Sequence, residues 1–435
     1  MERFIHSQLL DWKNKTSRKV LLLRGARQVG KTWSVRNLAK GFKYYLEVNF
    51  EKDRAIRSFF AGDLDTSKII TLLSAYYDIP IIPGETLLFF DEIQAYEPAL
   101  SSLRFFYEKQ PDLHVVAAGS LLEFALNKLP SFGIGRIEHL FMYPLSFQEF
   151  LIAKGKKNLI GMINQSGPES PIETVFHDML IEILKEFLYV GGLPEIVNNY
   201  ISNGDLREAQ HLLDQHLTGL LDDLNKYRQR FPSTRLREIF DAVVHQSGNR
   251  FKLAHASRVA NYYQILEALD LLEMAGLIYR VFHTSAGGVP AGSQADHSKF
   301  KILMFDHGLF QRILGLNLSE HLLANDFSAI NKGNIAEQFA GTEIIKNSPN
   351  HGKTQLYYWQ RETPGSHAEV DYILQSEGRI LPFEIKSGTS GKMQSLHLFL
   401  REKKLPSGIR CSLENFNKYD NIEVYPLYAI RNICK

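Results

Sequence analysis

An aliphatic run ending in a glycine-bracketed turn and a lysine constrains this chain more than any other feature: Val20-Leu21-Leu22-Leu23-Arg24-Gly25-Ala26-Arg27-Gln28-Val29-Gly30-Lys31-Thr32. The apolar run reads as a buried strand, and Trp33 to Lys40 continues with a helix-compatible pattern. A strand, a G-x-x-x-x-G-K-T turn and a helix in that order point successive backbone N–H groups into a concavity at a helix N-terminus. Unpaired donors and the helix dipole there favour an anion, phosphate above all. Gly25 and Gly30 supply the backbone freedom and the close approach, with Ala26, Arg27, Gln28 and Val29 forming the loop between them. In such a loop Lys31 reaches the β- and γ-phosphates of a nucleotide, and the Thr32 hydroxyl takes a place on Mg²⁺. ATP and Mg²⁺ are therefore the expected ligands.

Around this unit, residues 1–150 alternate strands and helical stretches, the rhythm of a parallel sheet covered on both faces. Expected strands are Val20–Arg24, Tyr44–Phe50, Thr86–Phe90, His114–Ala118 and Ile137–Tyr143. Leu87 to Phe90 and Val115 to Ala118 are apolar throughout, as strands buried on both sides must be. At 435 residues the chain is long enough for two to four domains. The expectation is α/β throughout: a P-loop NTPase domain over 1–153, a helical and winged-helix-like region over 172–318, and a C-terminal α/β domain over 319–435. The middle assignment rests on helical stretches Leu236–Gln246, Leu253–Ala260 and Tyr262–Ala275, followed by strands Leu277–His283 and Lys299–Phe305 around a Gly/Ser/Pro-rich tip. The C-terminal assignment rests on a helix Lys332–Lys346 and strands Leu356–Gln360, Val370–Leu374 and Ile380–Ile385.

Composition narrows the partners. A net charge of +2 gives no global basic field that would argue for nucleic acid, and none against it. No apolar run approaches the ~18 residues of a membrane helix, and the first residues lack a signal-peptide core, so no membrane is expected. With only Cys411 and Cys434, far from metal-ligand spacing, the chain is expected in the reducing cytoplasm without disulfides.

The second element of the nucleotide site is an apolar strand ending in acid, Leu87-Leu88-Phe89-Phe90-Asp91-Glu92. Asp91 is the candidate to hold Mg²⁺ with Thr32, and Glu92 the candidate to polarise the attacking water. Ala117-Ala118-Gly119-Ser120 is a third strand ending in a small polar residue. Ser120 is expected beside the γ-phosphate if this strand lies between the other two; capping the helix that follows is the alternative. For the arginine that stabilises transition-state charge, in cis or from a neighbouring copy, Arg136 is the first candidate and Arg104 the second. A finger acting in trans would make the protein a homo-oligomer.

Taken together, Gly25 to Thr32, Asp91-Glu92-Ile93-Gln94, Gly119-Ser120, Gly135-Arg136 and Tyr143-Pro144-Leu145-Ser146-Phe147-Gln148-Glu149-Phe150 resemble the bacterial and archaeal AAA+-type ATPases that join an AAA domain to a C-terminal DUF4143 domain. Gly191-Gly192-Leu193-Pro194-Glu195 and Lys301-Ile302-Leu303-Met304-Phe305-Asp306-His307-Gly308-Leu309 match later landmarks of that family, so the resemblance spans essentially the whole chain. It implies ATP binding and hydrolysis and leaves the cellular role open.

At the C-terminus, a helix Glu337, a strand Asp371 and Glu384-Ile385-Lys386 on the next strand resemble a restriction-endonuclease-like PD-(D/E)XK core. In that chemistry Glu337, Asp371 and Glu384 would hold a metal beside a scissile phosphate while Lys386 orients or deprotonates the attacking water. By itself E-x-K is a weak signal, because charges alternate on many solvated strand faces. Two readings follow: an ATP-driven enzyme that binds or cuts DNA or RNA, or a nucleotide-operated switch whose C-terminal domain binds a protein partner and cuts nothing. Tyr262–Ala275 carries Glu267, Asp270 and Glu273, which repel phosphate and argue against a DNA-reading helix. The basic residues Lys226, Arg228, Arg230, Arg235 and Arg237 are candidates for a nucleic-acid backbone or for a solvated face. Trp359 reads as a strand aromatic in the core rather than a base-stacking platform.

Overall fold

The computed structural model describes residues 1–120, 122–126, 135–224, 233–316, 334–389 and 391–434. Five strands build the first sheet: β1 (Val20–Arg24), β2 (Tyr44–Asn49), β3 (Thr86–Asp91), β4 (His114–Ala118) and β5 (Ile137–Phe141). They are all parallel, in the order β2-β3-β4-β1-β5. Side chains alternate between the two faces of a strand. Thus Leu21 and Leu23 of β1 enter one core, while Val20 and Leu22 enter another with Val48, Phe90 and Phe106. Both faces are covered by helices, and the result is the α/β sheet of a P-loop NTPase.

A second sheet has eight strands: β6 (Ile278–Thr284), β7 (Ala295–Met304), β8 (Tyr357–Gln360), β9 (Glu369–Ser376), β10 (Arg379–Ile385), β11 (Gly408–Ser412), β12 (Asn417–Tyr419) and β13 (Ile422–Pro426). Their order is β12-β13-β11-β10-β9-β8-β6-β7, with parallel and antiparallel pairs mixed. Here the structure departs from the expected winged helix. The hairpin β6–β7 is no free wing; β6 pairs in parallel with β8, so the sheet draws strands from both sides of the boundary set at 318/319. Only Leu253–His255 of the middle helical stretch is helical, as a single 3-10 turn. The pairing leaves no wing because β6 offers its second edge to β8, and local sequence patterns do not report which strand an edge will meet. The start of the expected third domain lies outside the described residues.

Helices Thr174–Val190, Pro194–Asn203 and Leu206–Leu224 lie between the sheets in the chain and share one hydrophobic core with the first sheet and the C-terminal region. Two close contacts tie them to Asp306 and Gly308, just beyond the end of β7. The Gly192 amide donates to Asp306 Oδ2 at 2.8 Å, and Gly191 lies so near Gly308 that a Cβ there would meet its Cα at 2.9 Å. Trp359 is buried, edge-on to Phe399 at 5.0 Å. Cys411 and Cys434 are buried free thiols. Among the described residues no helix is long and apolar enough to cross a membrane.

Candidate nucleotide site and C-terminal carboxylate cluster

β1 ends at Arg24, the loop follows, and helix Lys31–Ala39 begins at Lys31. Gly25 has φ +136°, and a Cβ there would lie 2.1 Å from Met142 O, so the loop can leave the sheet by this route only with glycine. Gly30 caps the helix in the left-handed region at φ 95°. Arg3, which sequence reasoning missed, braces the loop from below. Its guanidinium donates to Val29 O at 3.0 Å, Tyr143 O at 2.8 Å and Glu149 Oε1 at 2.9 Å. A partner 146 residues away is invisible to local pattern.

The expected functional groups converge at the C-terminal ends of β1, β3 and β4. β4 lies between β1 and β3, which places Ser120 next to both the loop and the acidic strand end. Lys31 Nζ donates to Gly25 O at 2.9 Å and Ala26 O at 2.6 Å. Burial pushes its pKa down to about 8, opposed by the charges of Glu92 and Asp91. Thr32 Oγ1 stands 3.4 Å from Asp91 Oδ1, and Asn49 Nδ2 donates to Asp91 Oδ2 at 3.1 Å. Thr32 and Asp91 are two oxygen donors facing one another at a separation long for a hydroxyl–carboxylate hydrogen bond. That donor set suits a small hard cation such as Mg²⁺. Burial, then the neighbouring Glu92, pushes Asp91 up from the usual carboxylate range.

Glu92 occupies the left-handed region at φ 48°, ψ 42°, a conformation uncommon for a non-glycine residue. Ser120 Oγ donates to its Oε1 at 2.9 Å, and Gln94 Nε2 donates to Oε2 at 2.5 Å. Burial pushes Glu92 up, but the hydrogen bonds from Gln94 and Ser120 and the charge of Lys31 outweigh it, leaving it below its ordinary value. Gln94 reaches this place because residue 119 is glycine: a Cβ there would meet Gln94 Oε1 at 1.8 Å. A carboxylate held ionised and aimed by two donors has the form of a general base.

Arg136 is not at this site. It precedes β5, whose first residue Ile137 is level with Val20, so it lies at the end of the sheet opposite the loop, paired with Glu108. Arg104 is exposed on helix Glu97–Lys109, its guanidinium over the Phe105 ring. Arg136 does not reach the chain's own nucleotide position. The middle helices do: Gln28 Oε1 meets His216 Nδ1 at 2.5 Å, and His216 Nε2 meets Glu195 Oε2 at 3.1 Å. This relay joins the loop to the Gly191–Glu195 landmark, and single-sequence reading had no signal for it.

At the second sheet, Glu337, Asp371, Glu384 and Lys386 come together. Lys386 Nζ pairs with Glu384 Oε1 at 2.6 Å, and Asp371 Oδ2 accepts from the Ile385 amide at 2.7 Å. Glu384 Oε2 is buried with no hydrogen-bond partner among the described residues. Two further groups complete the cluster: Glu369, on the Asp371 face of β9, and Lys301 of β7. Lys301 Nζ lies 2.8 Å from Glu337 Oε1, 2.5 Å from Glu369 Oε1 and 3.9 Å from Asp371 Oδ1. Burial lifts Glu337 to about 8 and Glu384 to about 7, with neighbouring carboxylates adding to both. Despite its burial, the surrounding carboxylates raise the Lys301 pKa and hold it protonated.

Elsewhere, Arg280 pairs with Asp270 and Glu273, two of the three acidic residues of helix Tyr262–Met274. Arg237 pairs with Asp222 at 3.1 Å; Lys226, Arg228 and Arg230 lie outside the described residues.

Fold and loop define a P-loop NTPase domain of the AAA class. Residues 17–151 match the model of the AAA domain family AAA_14. Residues 332–430 match a domain of unknown function, DUF4143, and residues 181–320 match another, DUF8612. The chain thus carries an AAA_14 domain followed by a DUF4143 domain. No curated protein matches it. Among solved structures, it is similar to the Orc1 protein of Aeropyrum pernix, in complex with DNA, at 10% identity, covering 74% of this chain and 95% of that one with a TM-score of 0.30. It is also similar to unliganded Pif1 from Bacteroides sp. at 14% identity, covering 38% and 49%, with a TM-score of 0.22. Scores this low carry no weight for fold or function.

Proposed function

We propose that the protein is a Mg²⁺-dependent ATP hydrolase. The observation that carries this reading is the carboxylate of Glu92, held by Ser120 and Gln94 on the strand end that also supplies Asp91. Loop amides and Lys31 would bind the phosphates, and Thr32 and Asp91 would hold Mg²⁺, whose charge would supply neutralisation beside the phosphoryl group. Glu92 orients and deprotonates the water, and Ser120 fixes Glu92. Phosphoryl transfer needs positioning and charge neutralisation more than covalent chemistry, so these groups suffice for slow turnover. Arg136, at the far end of the sheet, would serve the site of a neighbouring copy. Phosphate release by the full chain tests the reading: activity in wild type that is absent in Lys31→Ala and Glu92→Gln supports it, and equal release by all three refutes it.

A second reading concerns the C-terminal cluster. The gathering of Glu337, Asp371, Glu384 and Lys386 favours a PD-(D/E)XK-type site acting on DNA or RNA. Cleavage of linear or single-stranded DNA or RNA with Mg²⁺ or Mn²⁺, lost in Lys386→Ala and kept in Lys31→Ala, supports it. No cleavage on any substrate, together with ATP-dependent capture of a partner, favours the nucleotide-operated switch.

A further inference from the structure

We propose that the ammonium of Lys301 is a built-in cation of the C-terminal cluster, holding the place between Glu337, Glu369 and Asp371 that a divalent ion would otherwise take. The inference bears on the same site as the nuclease-like reading and shares Glu337 and Asp371 with it, but it turns on Lys301 and Glu369, which that reading does not use. Three carboxylates from two elements, Glu337 on helix Asn334–Asn347 and Glu369 and Asp371 on β9, converge on one Nζ within 2.5 to 3.9 Å. Carboxylates gathered in a buried site repel one another and rise in pKa, as Glu337 does, and the ammonium among them offsets that repulsion. Lys301 is 1% exposed, and the face of Tyr358 lies 5.4 Å from its Nζ. An ammonium this deep is tolerated only when paired, and here it is paired several times over.

The position is also built rather than borrowed. β7 pairs with β6, and β6 joins the C-terminal sheet through β8, so the hairpin that enters this sheet is the one that carries Lys301. Lys301 lies in the Lys301–Leu309 landmark, whose Asp306 accepts the Gly192 amide; the cation is therefore fixed to the body of the protein. The side of the cluster left to a divalent ion is that of Glu384, whose Oε2 is buried with no hydrogen-bond partner among the described residues.

Mn²⁺ binding to the nucleotide-free full chain, followed by electron paramagnetic resonance, tests this. Wild type and Glu369→Gln are expected to bind Mn²⁺ identically, because Glu369 faces the ammonium and not a metal. Lys301→Met is expected to gain one bound Mn²⁺ per chain, lost again when Glu369→Gln is added. Mn²⁺ binding in wild type that Glu369→Gln abolishes overturns the proposal, as does a folded Lys301→Met that takes up no additional Mn²⁺. The comparison of wild type with Glu369→Gln decides the matter even where Lys301→Met does not fold. Failure of the nuclease-like reading is scored separately, by cleavage and by Lys386→Ala.

Discussion

Ser120 Oγ donates to Glu92 Oε1 at 2.9 Å, joining the ends of two neighbouring parallel strands, β4 and β3. The bond fixes which way the carboxylate points. Glu92→Gln is expected to bind ATP like wild type and to lower turnover by about 10²- to 10⁴-fold, the usual worth of a positioned general base. Ser120→Ala leaves the carboxylate in place and is expected to cost less. Phosphate release alongside nucleotide affinity checks both; wild-type turnover in Glu92→Gln would remove Glu92 from the mechanism.

Lys31 makes a prediction about protons. Its pKa in the folded chain is about 8, against an ordinary 10.5, so between those values the unfolded chain holds more protons. The cost of burying the charge is present below about pH 8 and is relieved as the pH rises toward 10.5. A triphosphate beside Lys31 favours the charged form, so ATP binding near pH 8 should take up protons. Calorimetry in buffers of different ionisation enthalpy reads this directly, and buffer-independent heats at pH 8 would count against it.

Arg3 and Glu149 form a buried pair 2.9 Å apart, with side chains 6% and 7% exposed. Removing one partner of such a pair strands the other charge, so Arg3→Ala should destabilise the fold by about 3–5 kcal/mol. Denaturant unfolding measures it. Burial raises the Glu149 pKa, but Arg3 and two amides outweigh it and leave it below the ordinary 4.5. The stabilisation is therefore complete above pH 4.5 and lost as the pH falls through the lower, folded-state value.

His216 bridges Gln28 of the loop and Glu195 of the middle region. Should it report loop occupancy, ATP will slow amide exchange in helices Pro194–Asn203 and Leu206–Leu224 of wild type, and His216→Ala will erase that change while still binding ATP. Hydrogen-exchange mass spectrometry separates the two outcomes.

Arg136 sits across the sheet from the loop, beside Glu108. At concentrations where the chain is monomeric, Arg136→Ala should hydrolyse ATP at the wild-type rate. A loss confined to concentrations at which copies associate would assign it to a neighbour's site.

The nucleotide half of the molecule was legible because its signals are local. Val20–Arg24 and His114–Ala118 form strands with the expected bounds, since an apolar run between turn residues has few other solutions. The second sheet was legible only in pieces. Leu277–His283 and Lys299–Phe305 read correctly as two strands, yet their pairing with β8 was hidden. β11 and β13, at Gly408–Ser412 and Ile422–Pro426, were missed because each is only five residues long; β11 has Arg410 buried on a fully covered strand, and the alternation of β13 is too short to stand out.

The sequence by itself determined the phosphate loop and the acidic strand end, because each is written within a few consecutive residues, and it named the C-terminal carboxylates one by one, each on its own expected helix or strand. Only the tertiary structure decided that Arg3 braces the loop, that Arg136 lies away from it, and that Lys301 stands among Glu337, Glu369 and Asp371. Those relations are distances between residues dozens to more than a hundred positions apart, set by which strand edges meet and which helices share a core, and no local pattern of side chains encodes them.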